Sequence, residues 1–397
     1  MSLPTIRTIT LGLEQPHPLS AAVLQQAAQI LQRASARYQA EGYVVQTVRI
    51  ATRPLLDDLA DWSAARILAY ARELQRQLTA LGLEYCSLGT VFAARPDFSL
   101  ARLELITDLL IASEVLSATV HLATPEAGLR AEAALPIAHM MQRLAHETPE
   151  GFGNFRFAML ACVPPGGPFF PTAYHSGPTR LSLGLQGASL VLAALEEASS
   201  VAALTGPLAP ALITRSVGEA LTLQAEPLAT LAQRYAAEEN IQFGGLDLSP
   251  APLGETSIVT AIEACGYGPL GSAGTLTVVG ALTAALKSVA LPLCGYNGLM
   301  LPVLEDEVLG QRWAEGGINA QQLLLYSAVC GTGLDTIPLP GDSDPEQIAH
   351  LLLDVATLAL RYQKPLSARL FPVPGKQAGE RTNFSSQYLT NTIIRGL

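Results

Sequence analysis

The sequence predicts a closed α/β barrel with its helices outside, and three observations lead there. Extended and helical patterns alternate along nearly the whole chain, which is the pattern of βα units and a mostly parallel sheet. The units are too many for a small open sheet, so a sheet curled on itself and ringed by helices is the natural packing. Apolar residues make up 49% and charged residues 15% of the 397 positions, enough to bury a large core. No Ser/Gly-rich or charged linker divides the chain, which reads as one domain over 1–397, with a possible insertion or subdomain edge at Leu204–Glu226.

Element by element, Ser20 can cap a first helix whose apolar face includes Val23, Leu24, Ala27, Ile30, Leu31 and Tyr38, and Gly42 ends it. Tyr43–Ile50 alternates like a strand. Trp62–Leu81 is helical up to Gly82, Leu83–Val91 is extended, Leu100–Ser113 is helical and Leu116–Leu122 is extended. Pro125–Ala145 reads as a helix, Phe155–Val163 and Leu181–Leu185 as strands, and a helical stretch starts at Ala188. Ala225–Asn240 leads as a helix into the strand Ile241–Leu246, and Glu255–Cys265 is helical. Asp344–Arg361 is helical and Ser367–Phe371 extended.

One phrase occurs twice. Gly245–Pro252 and Gly333–Pro340 both read GLDxxPxP, so in each an aspartate lies where an apolar run meets a Pro-x-Pro segment. Proline fixes φ and has no N–H, so it stops a sheet ladder and stiffens the exit loop. Related endings occur at Val163–Gly166 and Phe371–Gly375. The phrases predict rigid strand exits that carry polar side chains.

The net charge of −10 disfavours phosphate backbones and anionic membranes, so no nucleic-acid and no membrane partner is expected. Cys86, Cys162, Cys265, Cys294 and Cys330 are odd in number and show no CxxC spacing; with no signal peptide at Met1–Leu13, this points to the cytosol. The uncharged stretch Ala264–Leu286 is rich in glycine and suits a loop and a core helix better than a membrane span. The low charge also predicts a homo-oligomer, with part of the surface covered by a second subunit. There is no HExxH, no GxSxG elbow and no P-loop. Gly266–Gly271 matches GxGxxG, but a helix rather than a strand precedes it, which argues against a nicotinamide site.

From Ile6–Leu13 (IRTITLGL) and Val48–Pro54 (VRIATRP), through Pro168–Gly177, Gly244–Pro252 and Gly271–Leu276, to Tyr326–Asp342 and Lys364–Gly375, the ordered run of motifs resembles an uncharacterised bacterial and archaeal family, the domain of unknown function numbered 711. The resemblance implies a fold like that of the pyruvate formate-lyase group: a ten-stranded α/β barrel with an inner loop in its centre. That group works through a radical glycine near the C-terminus and cysteines on the inner loop. Here Gly375–Leu397 contains no Arg-Val-x-Gly-Tyr-like stretch and no two cysteines are adjacent. A shared fold is weak grounds for shared chemistry, so the barrel is carried over and the radical is not.

Candidate catalytic residues are His175, Asp247, Asp335 and Cys330. Cys330, followed by Gly331-Thr332-Gly333, could be a nucleophile if a neighbour lowered its pKa, or simply a small buried hydrophobe. Asp247 and Asp335, at equivalent places in the two phrases, could bind a divalent cation or act as an acid and base pair; the bland alternative is loop capping. Asp342 is expected to cap the helix that starts near Pro345. His175, in a loop dense in Pro and Gly, could be a general base, a metal ligand or a purely structural ring. Candidate substrate-binding residues are Arg369, Ser249, Thr332 and Ser272. Arg369, if interior, needs an anion: Asp247, Asp335 or a bound carboxylate. Ser272 can cap the helix near Thr275, where free N–H groups could hold a carboxylate or phosphate. Arg53 and Lys376 are further cations beside strands, and Glu305–Glu307 reads as a helix N-terminus.

Together these residues predict an enzyme acting on a small polar or anionic metabolite inside the barrel by acid/base or metal-assisted chemistry. The alternatives are a non-catalytic small-molecule sensor and, third, a radical enzyme. The sequence specifies no cofactor and no metal.

Overall fold

In the computed structural model, which describes residues 3–201, 206–252 and 256–396, the α/β reading holds. The strands are β1 (Thr5–Gly12), β2 (Val45–Ala51), β3 (Cys86–Val91), β4 (Leu116–Thr124), β5 (Gly128–Leu129), β6 (Phe157–Ala161), β7 (Arg180–Gln186), β8 (Gln242–Asp247), β9 (Gly333–Pro340) and β10 (Leu366–Val373). They form one ten-stranded sheet in the order β8-β7-β1-β2-β3-β4-β6-β10-β9, with the short β5 paired to β4. The five strands β1, β2, β3, β4 and β6 run parallel; β7 is antiparallel to β1, and β10 antiparallel to β6, so the flanking pairs run the other way.

The expected closed barrel is corrected in one respect: the hydrogen-bonded ladder stays open, with β8 and β9 as its edges. The reason lies in β9 itself. Pro338 and Pro340 stand within this strand, and a residue without an N–H belongs on an edge. Irregular chain crosses the gap instead. Leu246 N donates to Pro292 O and Cys294 N to Leu246 O on the β8 side, and Val303 N donates to Asp335 O on the β9 side. Segment 292–303 is thus an inner loop tied to both edges.

The repeated phrase marks these two edges. Gly245 and Gly333 have φ of 122° and 93°, and a side chain at either would strike backbone: Leu293 C beside Gly245, and Ser367 O beside Gly333. Asp247 ends β8 as a strand-exit reading requires, whereas Asp335 lies inside β9, with the Pro-x-Pro segment still in register with β10.

Most helices fall where periodicity puts them. Ser20 Oγ caps the helix Ala21–Ala40, and Asp344, not Asp342, caps Pro345–Tyr362, because Asp344 is the residue directly before the first turn. The helix expected over Pro125–Ala145 begins only at Ala134, after β5. The helix expected from Ala225 begins at Pro210 and runs to Glu238 with Pro227 inside it. Of the suspected insertion edge, Leu204 and Thr205 lie outside the described residues, as does Glu255 of the helix expected over Glu255–Cys265, which spans Ile258–Ala264. A large apolar core runs between strands and helices, from Ile6 to Leu370. A second cluster that includes Leu160, Phe169, Tyr174, Tyr296 and Met300 packs against the inner side of the sheet.

Candidate functional site

Arg7 of β1 and Arg369 of β10 come from opposite halves of the strand order, yet both reach Glu305, so the sheet curls around a hollow. Part of that hollow is a cavity of about 410 Å³. Alternation along the strands supplies its wall: Thr47 and Arg49 of β2 share one face, as do Ser367 and Arg369 of β10, while Val48 and Leu370 join the outer core.

Two bulges add to this wall. Between β1 and β7, Ile6 pairs with Leu185 and Thr8 with Gly184, which leaves Arg7 as the extra residue. Between β9 and β10, Leu334 pairs with Ala368 and Ile337 with Leu370, so Asp335 and Thr336 together face Arg369. Thr336 has φ of 44°, a left-handed backbone rare for a β-branched residue. Bulges re-aim side chains, and here they bring Arg7 and Asp335 to the cavity.

The charged groups form a string. Arg369 Nε donates to Asp335 Oδ1 at 2.5 Å and its Nη2 to Glu305 Oε1 at 2.5 Å. Arg7 Nη2 donates to Glu305 Oε2 at 3.3 Å, and its Nη1 to Pro252 O at 3.3 Å. Burial alone would pull the Arg369 guanidinium down, but the two carboxylates hold it above its ordinary value. Arg369 also lies over the Phe155 ring at 5.2 Å.

Arg49 is different. Only 8% of it is exposed, and among the described residues its one hydrogen bond is Nε to Thr47 Oγ1 at 3.0 Å. Its guanidinium rests over Tyr85 at 5.0 Å and Phe170 at 5.2 Å, and no carboxylate faces it in an ion pair among the described residues. Burial first, then the positive Arg7, lower its pKa to about 10. A fourth cation, Arg156, donates to Leu116 O and Leu110 O at 2.8 and 2.9 Å, the latter in the last turn of the helix Leu103–Ile111. Asp335 Oδ2 accepts no hydrogen bond among the described residues, and the buried Tyr296 hydroxyl, with the Ser367 and Thr172 hydroxyls beside it, has no partner of good geometry. After β10 the chain returns to the cavity, where Tyr85 donates to the Tyr388 hydroxyl at 3.1 Å.

The residues singled out from the sequence are divided by this geometry. Arg369, Asp335 and Thr332 line the cavity. Asp247, Ser249 and Cys330 hold the inner loop. Asp247 Oδ2 accepts from Tyr296 N at 2.7 Å, and its Oδ1 accepts from Asn297 N, Ser249 N and Ser249 Oγ at 3.1, 3.0 and 2.6 Å. Ser249 Oγ in turn accepts from Gly298 N at 3.1 Å. Cys330 Sγ lies 2.9 Å from Leu299 N and 3.3 Å from Leu299 O, and burial pushes its thiol up, away from a nucleophilic thiolate.

His175 is fully buried beside Gly12, with Nε2 at 3.1 and 3.0 Å from the carbonyls of Gly177 and Pro178; burial lowers its pKa. It does not line the cavity. Ser272 is exposed and does not cap: Gly274 stands before the helix Thr275–Ser288, so the expected anion site at Ser272 has no cap to rest on. Arg53 is paired with Asp58 at 2.8 Å. Asp306, rather than Glu305, caps the helix Glu307–Ala314, accepting from Leu309 N and also from Ile258 N, both at 3.0 Å. Among the described residues no group of three or more His, Cys, Asp or Glu is placed to hold a metal ion, and no helix is long and apolar enough to cross a membrane. Arg49, Arg7, Arg156, Glu305 and Tyr296 are the site residues that sequence reasoning missed. Arg7 in IRTIT and Arg49 in VRIAT carry the same signal as Arg369, a cation in a strand of a charge-poor chain.

Residues 2–385 match the family described as "Uncharacterised ACR (DUF711)", and the chain belongs to that family. Among curated relatives, it is 28% identical over 404 residues to a UPF0210 protein of Pyrobaculum arsenaticum, covering 98% of this chain and 87% of the relative. It is 29% identical over 357 residues to a UPF0210 protein of Desulforudis audaxviator, covering 86% and 77%. It is 26% identical over 403 residues to one of Neisseria meningitidis, covering 96% and 87%.

Proposed function

We propose that this protein binds a small anionic metabolite in the cavity, with Arg49 as the anchor. One observation carries the reading: a buried guanidinium with two nitrogens free of protein partners among the described residues, flanked by aromatic rings, in a chain of net charge −10. Leaving a buried charge without a counter-ion costs several kcal/mol in effective terms, a cost that a bound anion offsets. The cavity volume lies in the range of small-molecule sites.

If the site turns substrate over, acid/base work falls to Asp335 and the Tyr296 hydroxyl. The second reading, a sensor that only recognises its ligand, draws on the lining itself, which contains neither histidine nor cysteine among the described residues. For the same reason a radical mechanism on a pyruvate formate-lyase-like barrel is the least supported. The five free cysteines fit a reducing cytosol. A second copy of the chain is a natural cover for the helix Ala320–Val329, where Leu325 and Val329 are exposed.

The test is to purify the wild-type chain and an Arg49→Met variant, denature both, and identify released small molecules by mass spectrometry. An anion retained by the wild type and lost from the variant is expected. If the wild type retains none, and its melting does not shift with a panel of carboxylates and phosphates, the reading fails.

A further inference from the structure

The charged groups along the cavity wall run Arg49, Arg7, Glu305, Arg369, Asp335. The inner three satisfy one another through the contacts given above, and the two ends do not. At one end Arg49 keeps two nitrogens without a protein acceptor among the described residues; at the other Asp335 Oδ2 lacks a donor among them. Both ends line the same cavity, and so does the Tyr296 hydroxyl, buried without a well-placed partner. The Tyr296 hydroxyl and Arg49 are buried and the Asp335 side chain is 15% exposed, so the capacity these groups leave open faces the cavity, and a ligand that completes them offsets their desolvation.

The open ends differ in sign, so a bare anion would complete only one of them. From this, and resting on the anion reading above, we infer that the ligand is a hydroxy acid: its acidic group sits on Arg49 and its hydroxyl donates to Asp335 Oδ2 within reach of Tyr296, with an apolar body between them. Charge favours a hydroxyl over an ammonium group as the donor. Four guanidinium groups line the cavity against two carboxylates, Arg156 being held only by carbonyl oxygens, so the wall carries a surplus of positive charge that an acidic group offsets and an ammonium group would add to. Phe169, Phe170 and Tyr296 supply the apolar wall along which the body would lie.

Isothermal titration with 3-(4-hydroxyphenyl)propanoate and 3-phenylpropanoate tests this, using wild-type protein and the Asp335→Asn and Tyr296→Phe variants. Roughly tenfold tighter binding of the hydroxy acid than of 3-phenylpropanoate is expected in the wild type, because a site built for a hydroxyl leaves polar groups unpaired without it. That advantage should shrink to about threefold or less in either variant, with 3-phenylpropanoate bound as in the wild type. Tyr296→Phe removes a single oxygen, and so keeps the test open if Asp335→Asn fails to fold. Equal binding of the two acids by the wild type, or an unchanged advantage in a folded variant, overturns the hydroxy-acid assignment and leaves the anion reading standing. No binding by either acid also overturns it; the retained-anion comparison with Arg49→Met then decides whether the broader reading falls too.

Discussion

Asp247 and Asp335 occupy the same place in the same phrase, each beside an edge of the sheet, and meet opposite surroundings. Around Asp247 the inner loop closes, and its carboxylate takes four hydrogen bonds, three of them from backbone N–H groups. Around Asp335 a bulge turns the carboxylate towards open space, where one oxygen binds Arg369 and the other is free of protein donors among the described residues. The first is a saturated polar group that fixes the chain; the second is a polar group with capacity to spare. The same contrast separates Cys330 from Arg49 and Tyr296. A repeated sequence phrase thus specifies backbone geometry at an edge, and the neighbouring segment decides whether its side chain becomes structure or site.

The greatest loss is expected on the saturated side. Asp247→Ala strands three buried N–H groups and frees the loop from β8, at a cost of about 4 kcal/mol, read from urea unfolding. Asp335→Asn should cost no more than about half as much, since Arg369 keeps Glu305. Equal losses would erase the distinction between the two aspartates.

Acid should act on the saturated side as well. His17 is held between Tyr70 and Thr52, and His121 between Thr90 and Val163 O; burial lowers both from 6.5 to about 4. Between those values the folded chain binds fewer protons than the unfolded one. Stability is therefore full above about pH 6.5 and falls as pH drops towards 4, by up to about 1.4 kcal/mol per pH unit for each ring. Urea midpoints across that window should show the fall, with a shallower slope in His121→Gln; a flat profile would mean that these rings are not buried neutral.

Cys330 extends the contrast to reactivity. It should react with iodoacetamide in the native protein at least about tenfold more slowly than the half-buried Cys162, read by peptide mass spectrometry. Faster labelling of Cys330 would move it to the open side. Stability should change least at Arg49. Replacing it by Met removes a buried charge that lacks a carboxylate among the described residues, so the variant should melt unchanged or be stabilised by about 1 kcal/mol while losing anion binding. A marked destabilisation would show that Arg49 serves the fold.

Much of the fold was legible because alternating and helical periods survive in a chain with few charges. Seven strands between Tyr43 and Phe371 come from period alone, whereas β1, β5 and β9 do not. The open edge was less so, although its cause, Pro338 and Pro340, stood in plain view; a proline pair reads as the end of a strand, and here the strand continues as an edge. The site was legible in half its parts. Arg369 and Asp335 were found because they stand next to unusual letters. Arg7 was hidden because a bulge, invisible in a single strand's alternation, turns it inward. Glu305 was hidden because it neighbours Asp306, which does the capping expected of the acidic run. His175 lies outside this cavity, because a loop rich in Pro and Gly can face one nitrogen of an imidazole with its own carbonyls as readily as present the ring to a ligand.

The gap between β8 and β9 has a consequence for how such a hollow can change over time. In a ladder joined all the way round, strand number and stagger set the bore, and altering it means reshuffling register everywhere. Here the circumference is finished by 292–303, a strap fastened through backbone bonds to Leu246 at one edge and Asp335 at the other. Insertions or deletions in that strap would widen or narrow the interior while every strand pairing stays as it is, so the size of the hollow can drift without the fold having to be rebuilt.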